Sequence, residues 1–251
     1  METIYWVVGI GAVVAGFVQG LSGFAFGMVA MSFWAWTLEP RLAAALAVFG
    51  ALTGQIVAAV SVRRGFDVRT LAPFVLGGLL GIPLGVALLP RLDMVWFKTL
   101  LGVLLVLWCP TMLMAKRLPR IRAGGRVADG IVGMAGGVMG GIGGFTGTLP
   151  TLWCTLRGYE KDQQRAVIQN FNLSMLMVTM ATYLGTGMVT RDMLPFFAIV
   201  APAMLVPTLL GTRLYIGLSD VAFRQIVLGL LTASGVALLA SSLPQLAGRY
   251  L

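Results

Sequence analysis

Apolar positions come in eight blocks, near residues 4–37, 42–62, 70–90, 94–115, 129–156, 166–186, 193–213 and 223–243, separated by short polar or charged clusters. Six are close to the roughly 20 apolar residues that one helix needs to cross a bilayer. The first and fifth are longer, and glycines interrupt both: GFVQGLSGFAFG from Gly16 and GGVMGGIGGFTG from Gly136. As one helix, block 4–37 would run roughly 50 Å, against a hydrocarbon core of about 30 Å. Each long block is therefore either one tilted span or two helices folded back on each other with the glycines at the turn. Period-2 alternation is absent, which argues against a β-barrel.

The two halves of the chain resemble each other. Gly16, Gly20, Gly23 and Gly27 recur 120 residues later as Gly136, Gly140, Gly143 and Gly147. GFDVRTLAPF from Gly65 returns as GMVTRDMLPF from Gly187. Between the halves lies KRLPRIRAGGR, residues 116–126, basic and with linker character. The chain reads as a duplication: a first membrane repeat over 1–115, a basic linker over 116–128 and a second repeat over 129–251.

Composition agrees with the block pattern. Only 11% of residues are charged and 58% are hydrophobic, with a mean hydropathy of +0.92; soluble domains carry about 25% charged residues. The net charge of +9 comes from basic residues in loops flanking the apolar blocks, so it points to membrane topology and away from nucleic acid. The opening METIYW has no basic n-region and no small-residue cleavage site follows it, so the first block is expected to be a retained helix.

The same charges weigh the two readings of the long blocks. With eight single spans the basic residues divide ten to eight across the membrane. With a hairpin in each long block, Arg157, Lys161, Arg165, Arg213 and Arg224 join Arg63, Arg64, Arg69 and the linker cluster, and the division becomes thirteen to five. Basic loops belong in the cytoplasm, so the hairpin reading is preferred. Each half then crosses an odd number of times, and the halves are inverted. The expected fold is all-α integral membrane, each half a Gly-broken hairpin followed by three transmembrane helices.

Broken helices at membrane depth persist only where protein or a cavity receives the freed backbone groups. Paired half-helix N-termini near the midplane suit an anion, and glycines let it approach the backbone N–H groups closely. Gln19 and Ser22 flank the first break; Thr146, Thr148 and Thr151 follow the second; and Gln169, Asn170 and Asn172 stand near the start of the next apolar helix. The alternative reading of the glycines is close helix packing, and of QNFN, interhelical hydrogen bonding. The six tryptophans lie mostly near block ends and read as interface anchors rather than substrate contacts.

Several chemistries are disfavoured. There is no histidine, and Cys109 and Cys154 have no ligand spacing, so neither a metal site nor another cofactor is expected. All nine carboxylates lie in or near loops or block ends, which argues against cation transport and paired-carboxylate hydrolysis. No nucleophile–base arrangement presents itself, so an enzyme is not expected. Arg41, Arg165 and Arg213 at block boundaries either draw anions inward or anchor the helices by snorkelling.

At AGFVQGLSGFAFG (15–27) and GMAGGVMGGIGGFTG (133–147), with the two similar halves and GGLLGIPLG (77–85), the sequence resembles the sulfite exporter TauE/SafE family of membrane proteins. The resemblance implies a bacterial inner-membrane carrier of small sulfur-containing anions such as sulfite, thiosulfate or sulfoacetate, with other organic anions also handled within the family. Its glycine-rich segments map onto Gly20, Gly23, Gly140, Gly143 and Gly144. The copies differ, Ser22 and Phe24 standing where the second has Ile142 and Gly144, so the second break is the expected closer contact.

The expected site comprises Gln19, Gly20, Ser22, Gly23, Gly140, Gly141, Gly143, Gly144, Thr146, Gln169, Asn170 and Asn172. The expected function is export of sulfite or a C2–C3 organosulfonate by alternating access. An anion channel, a carrier of another organic anion and a non-transporting scaffold remain as alternatives. The expected partners are the anion and the bilayer, and small-residue faces would allow a homodimer.

Overall fold

The computed structural model describes residues 2–23, 25–61, 65, 67–121, 123–214 and 220–250. Arg63, Arg64, Arg122 and Phe24, and the side chains of Lys116, Arg213 and Arg224, lie outside the described residues. Ten α-helices dominate, and no strand occurs among the described residues. The first half holds α1 (Glu2–Ser22), α2 (Phe26–Trp34), α3 (Pro40–Ser61), α4 (Val68–Leu88) and α5 (Met94–Met114). The second holds α6 (Gly125–Gly143), α7 (Thr148–Leu156), α8 (Lys161–Gly185), α9 (Leu194–Leu214) and α10 (Asp220–Tyr250).

Both long apolar blocks are hairpins. Gly23 (φ 81°) ends α1 and Gly144 (φ 76°) caps α6, both in the left-handed region that only glycine enters at little cost. The Gly144 N–H returns to the Gly140 carbonyl at 2.8 Å, closing the last turn. The chain then doubles back. Phe26 lies beside Gln19 and Trp34 beside Gly11, so α2 runs antiparallel to α1. Thr146 covers Gly140, Pro150 lies against Gly136 and Trp153 bonds Asp129, so α7 runs antiparallel to α6. At nine residues each, α2 and α7 are about 14 Å long, far short of a crossing.

Glycine also sets the packing between the halves. A Cβ on Gly77, Gly81 or Gly85 of α4 would overlap the carbonyl of Gly130, Met134 or Val138 of α6, and one on Gly133 or Gly137 would overlap Phe74 or Gly78. On α1, Gly16 and Gly20 meet Met204 and Thr208 of α9 in the same way. Both pairs run parallel. Such close approach maximises dispersion, which matters in lipid because burying apolar surface there gains nothing over the acyl chains. These glycines are thus consumed inside the chain, away from any pairing of two copies.

The pattern is reciprocal. The first helix of each half packs on the fourth helix of the other. The fifth helices pack on each other: Ser242 Oγ–H and Thr99 Oγ1 are hydrogen-bonded at 2.9 Å, Gly102 faces Gly235 and Leu239, and Arg249 pairs with Asp93. These contacts make α5 and α10 antiparallel.

Among the described residues, six helical stretches are long and apolar enough to cross a membrane: Glu2–Ser22, Pro40–Val60, Val68–Arg91, Met94–Met114, Arg191–Gly211 and Gln225–Arg249. α6 and α8 have the length without the apolarity. The reason is placement: α8 buries Gln169, Asn172, Thr179 and Tyr183 against protein, where polar atoms find partners. Two tryptophans correct the expectation of interface anchoring. Trp34 is fully buried, and Trp108 is buried with its Nε1–H donated to the Thr148 carbonyl at 2.7 Å, whereas Trp6, Trp36 and Trp96 are exposed.

Candidate functional site

The first break is built around two glutamines. Gln19, at the end of α1, is 2% exposed and its Oε1 accepts the Phe26 N–H at 3.0 Å. Its Nε2 reaches the Gly23 carbonyl at 3.4 Å. Gln55 of α3, 1% exposed, donates to the same carbonyl at 2.7 Å. A Cβ on Gly23 would lie 3.8 Å from Gln169 Nε2, so α8 reaches this break too. Ser22 Oγ bonds the Val18 carbonyl at 2.7 Å and accepts the Ala25 N–H at 3.3 Å.

At the second break Thr146 Oγ1 donates to Asn172 Oδ1 at 2.9 Å, both residues being 2% exposed. A Cβ on Gly147 would come within 2.6 Å of Asn172 Nδ2 and 2.7 Å of its Oδ1, so the end of the amide points at a glycine that must lack a side chain. Tyr183 Oη donates to the Gly141 carbonyl at 2.7 Å, fixing α8 to α6. Asn170 turns away from both breaks. Its Nδ2 bonds the Gly65 carbonyl at 3.0 Å and its own helix at Ala166. Gln169 and Asn172, three residues apart, share the inward face of α8.

The two breaks touch. A Cβ on Gly27 would sit 3.4 Å from the carbonyl oxygens of Gly143 and Gly144. Gly27, Met28, Gly144, Phe145, Gly147 and Thr148 enclose a cavity of about 10 Å³, the room of about one water molecule. It lies at the N-terminus of α2 and the N-terminus of α7 together. The first N–H groups of a helix have no carbonyl of their own helix to meet. Here Phe26 N–H is taken by Gln19 and Thr148 N–H by the Phe145 carbonyl. The N–H groups of Gly27, Met28 and Gly147 have no hydrogen-bond partner among the described residues.

Neither short helix has a side-chain cap from its own N-cap residue, Ala25 or Gly147, whereas α4 and α5, which start in loops, are capped by Asp67 and Asp93. A carboxylate cap would occupy the positive end of the helix and repel an anion. The start of α2 is met only by the neutral Gln19 amide and the start of α7 by no side-chain cap, so neither positive end is occupied by a carboxylate.

Residues 8–238 match the family described as Sulfite exporter TauE/SafE. The chain belongs to the TauE/SafE family. No curated protein and no solved structure matches it. As a TauE/SafE protein with long apolar helices it is a multi-pass membrane protein of a transporter family whose name points to sulfite and related sulfur anions.

Within this TauE/SafE chain the expected glycines divide by role. Gly20 and Gly141 are packing contacts, against α9 and α4. Gly140 lies under the Thr146 methyl, and the Gly23 and Gly144 N–H groups are spent on Gln19 and Gly140 carbonyls. Gly143 and Gly144 present carbonyls to the first break. The N–H groups that have no partner among the described residues are one step along the chain, at Gly27, Met28 and Gly147. Sequence reading aligned Gly27 with Gly147 without assigning them a role, and passed over Gln55, whose signal is a lone amide inside an otherwise apolar span.

A far larger groove, about 760 Å³, runs between α4 and α6 with Arg69 and Arg126 among its lining. Leu76, Leu80, Val127 and Ile131 line it and are well exposed, so it faces lipid. None of the inward donors borders it.

Proposed function

We propose that this protein exports sulfite or a C2–C3 organosulfonate across a bacterial inner membrane by alternating access. The observation that carries the reading is the shared cavity at the carboxylate-free N-termini of α2 and α7. Two positive helix ends and three N–H groups without a partner among the described residues give an oxyanion what it loses on leaving water, without a fixed positive charge that would hold it too tightly. Asn172, Gln169 and the two glutamines at the first break supply neutral amide donors around it, and Thr146 orients the Asn172 amide.

The reciprocal packing and the antiparallel α5–α10 contact support two inverted halves, one break entering from each side. The loop before α4 meets the start of α8 through Asn170 and Gly65, and the linker meets the end of α7 through Ile121 and Leu156. That gathers the basic loops at one end, which we assign to the cytoplasm. The space between the two breaks has room for about one water, too little for sulfite, so the elements around it must move apart to admit the anion. That requirement fits a carrier in which one half rocks against the other.

Gly27→Ala is the decisive substitution. Its methyl would stand 3.4 Å from the facing carbonyls, an ordinary contact, and would narrow the cavity. Gly143→Leu is a poorer probe, because even a Cβ there meets the Phe145 ring at 2.6 Å. For purified wild type in detergent, sulfite at about 100 times its dissociation constant adds about 2.7 kcal/mol to unfolding, and chloride does not. Gly27→Ala folds and loses the sulfite shift. Equal shifts from chloride, or a full sulfite shift in Gly27→Ala, would sink the assignment.

A further inference from the structure

Threonines on these helices follow a habit. Thr53, Thr99, Thr111, Thr155, Thr182, Thr186 and Thr232 each donate the hydroxyl to the carbonyl four residues back, the usual refuge of a hydroxyl in an apolar setting. Thr70, Thr148 and Thr208 find other acceptors, at Asp67, Phe145 and Gly16, whereas Thr151 and Thr179 use neither kind. Both are buried, at 4% and 0% exposure, and the Oγ1 of each has no partner among the described residues. A buried hydroxyl left unpaired is costly when an in-helix acceptor is one rotamer away.

Their positions are not random. Thr179 lies on α8 seven residues beyond Asn172, on the inward face, and its Oγ1 is 3.7 Å from where a Cβ on Gly140 would stand. Thr151 lies on α7, and its carbonyl receives Gln164 Nε2 at 3.4 Å; Gln164 precedes Asn172 on α8 by eight residues. At 1.5 Å per residue, the two orphaned hydroxyls flank the Thr146–Asn172 bond by roughly 10 Å on either side. Thr151 is on the side of the basic loops and Thr179 on the other. The third orphan, Trp34 Nε1, stands over Gly11 at the far end of α2.

We propose that Thr151 and Thr179 are anion-contacting donors on the two sides of the Thr146–Asn172 bond, the stations through which a small sulfur oxyanion enters and leaves the central cavity. The inference rests on the transport reading above and extends it to a path along α8. A hydroxyl that bonds cargo in transit must be unpaired when the cargo is absent, and that requirement explains why these two threonines forgo the carbonyl that their neighbours use.

The test separates storage of a donor from support of the fold. Thr179→Val and Thr151→Val keep the shape and remove the hydroxyl. Because that hydroxyl has no partner in the empty protein, both variants unfold at or above the wild-type temperature. In proteoliposomes their KM for sulfite rises about tenfold or more, since hydrogen bonds to charged groups are among the stronger ones. Thr179→Ser restores the wild-type KM. Thr182→Val, which loses a bond to the Val178 carbonyl, leaves KM unchanged. Unaltered KM in both valine variants, with wild type transporting sulfite, overturns this inference alone. Wild-type vesicles that move no sulfite overturn the transport reading and this inference with it. Should Thr179→Val fail to fold, the hydroxyl supports the structure, and that also overturns the proposal.

Discussion

Phe26 donates its N–H to Gln19 Oε1 at 3.0 Å, so the last side chains of α1 cap the helix that folds back on it. Gln19 and Gln55 both donate to the Gly23 carbonyl. A turn that exposes backbone in the membrane is thus closed by two side-chain amides. Gln19→Leu and Gln55→Leu should each lower stability by about 1–3 kcal/mol, the usual cost of stranding a buried backbone group. Because the two serve one carbonyl, the double variant should depart from additivity. Thermal unfolding of the four proteins in detergent checks this; full additivity would mean that the shared carbonyl is not what couples them.

Asn172→Asp should leave the fold in place and stop transport. The Asp carboxylate still accepts from Thr146 Oγ1, so the local bond survives, but a negative charge now stands against Gly147 beside the cavity. Like charge repels the anion strongly where water is scarce. Vesicle flux is the measurement, with size-exclusion chromatography to confirm the fold. Wild-type sulfite flux in this variant would place the anion elsewhere.

Gly81→Ala should cost about 1–3 kcal/mol, because the methyl would overlap the Met134 carbonyl and push α4 off α6. Gly229→Ala on α10 meets nothing within 4 Å and should gain up to about 1 kcal/mol of helix propensity. The opposite signs, read by thermal unfolding, distinguish glycines that permit contact from those that do not.

Asp93 predicts a pH dependence. The Trp96 N–H, and then Arg249, hold its carboxyl below the ordinary aspartate range. A depressed pKa contributes stability that is present above the ordinary value and is lost as pH falls through the lowered one. Unfolding between pH 6 and pH 3 should therefore show a small acid loss in wild type that Asp93→Asn lacks. The pair is about half exposed, so salt should shrink the difference. An identical acid profile in the variant would remove Asp93 as the cause.

Much of this architecture was written in the order of residues. Apolar blocks near the length of a bilayer fixed membrane helices, and block 4–37 was too long for one crossing; the recurrence of Gly16 to Gly27 as Gly136 to Gly147 marked where both breaks would fall. These follow from period, length and charge, which are local quantities. What no local pattern could decide is where each glycine's missing side chain falls. Gly20 faces the α9 backbone while Gly27, seven residues on, faces the second break, and only the docking of helices from the other half tells them apart. The same holds for Gln55, Thr151 and Thr179. A polar atom inside an apolar helix looks alike in sequence whether it is bonded to its own helix, to a distant turn or to nothing, because its partner is chosen by tertiary packing.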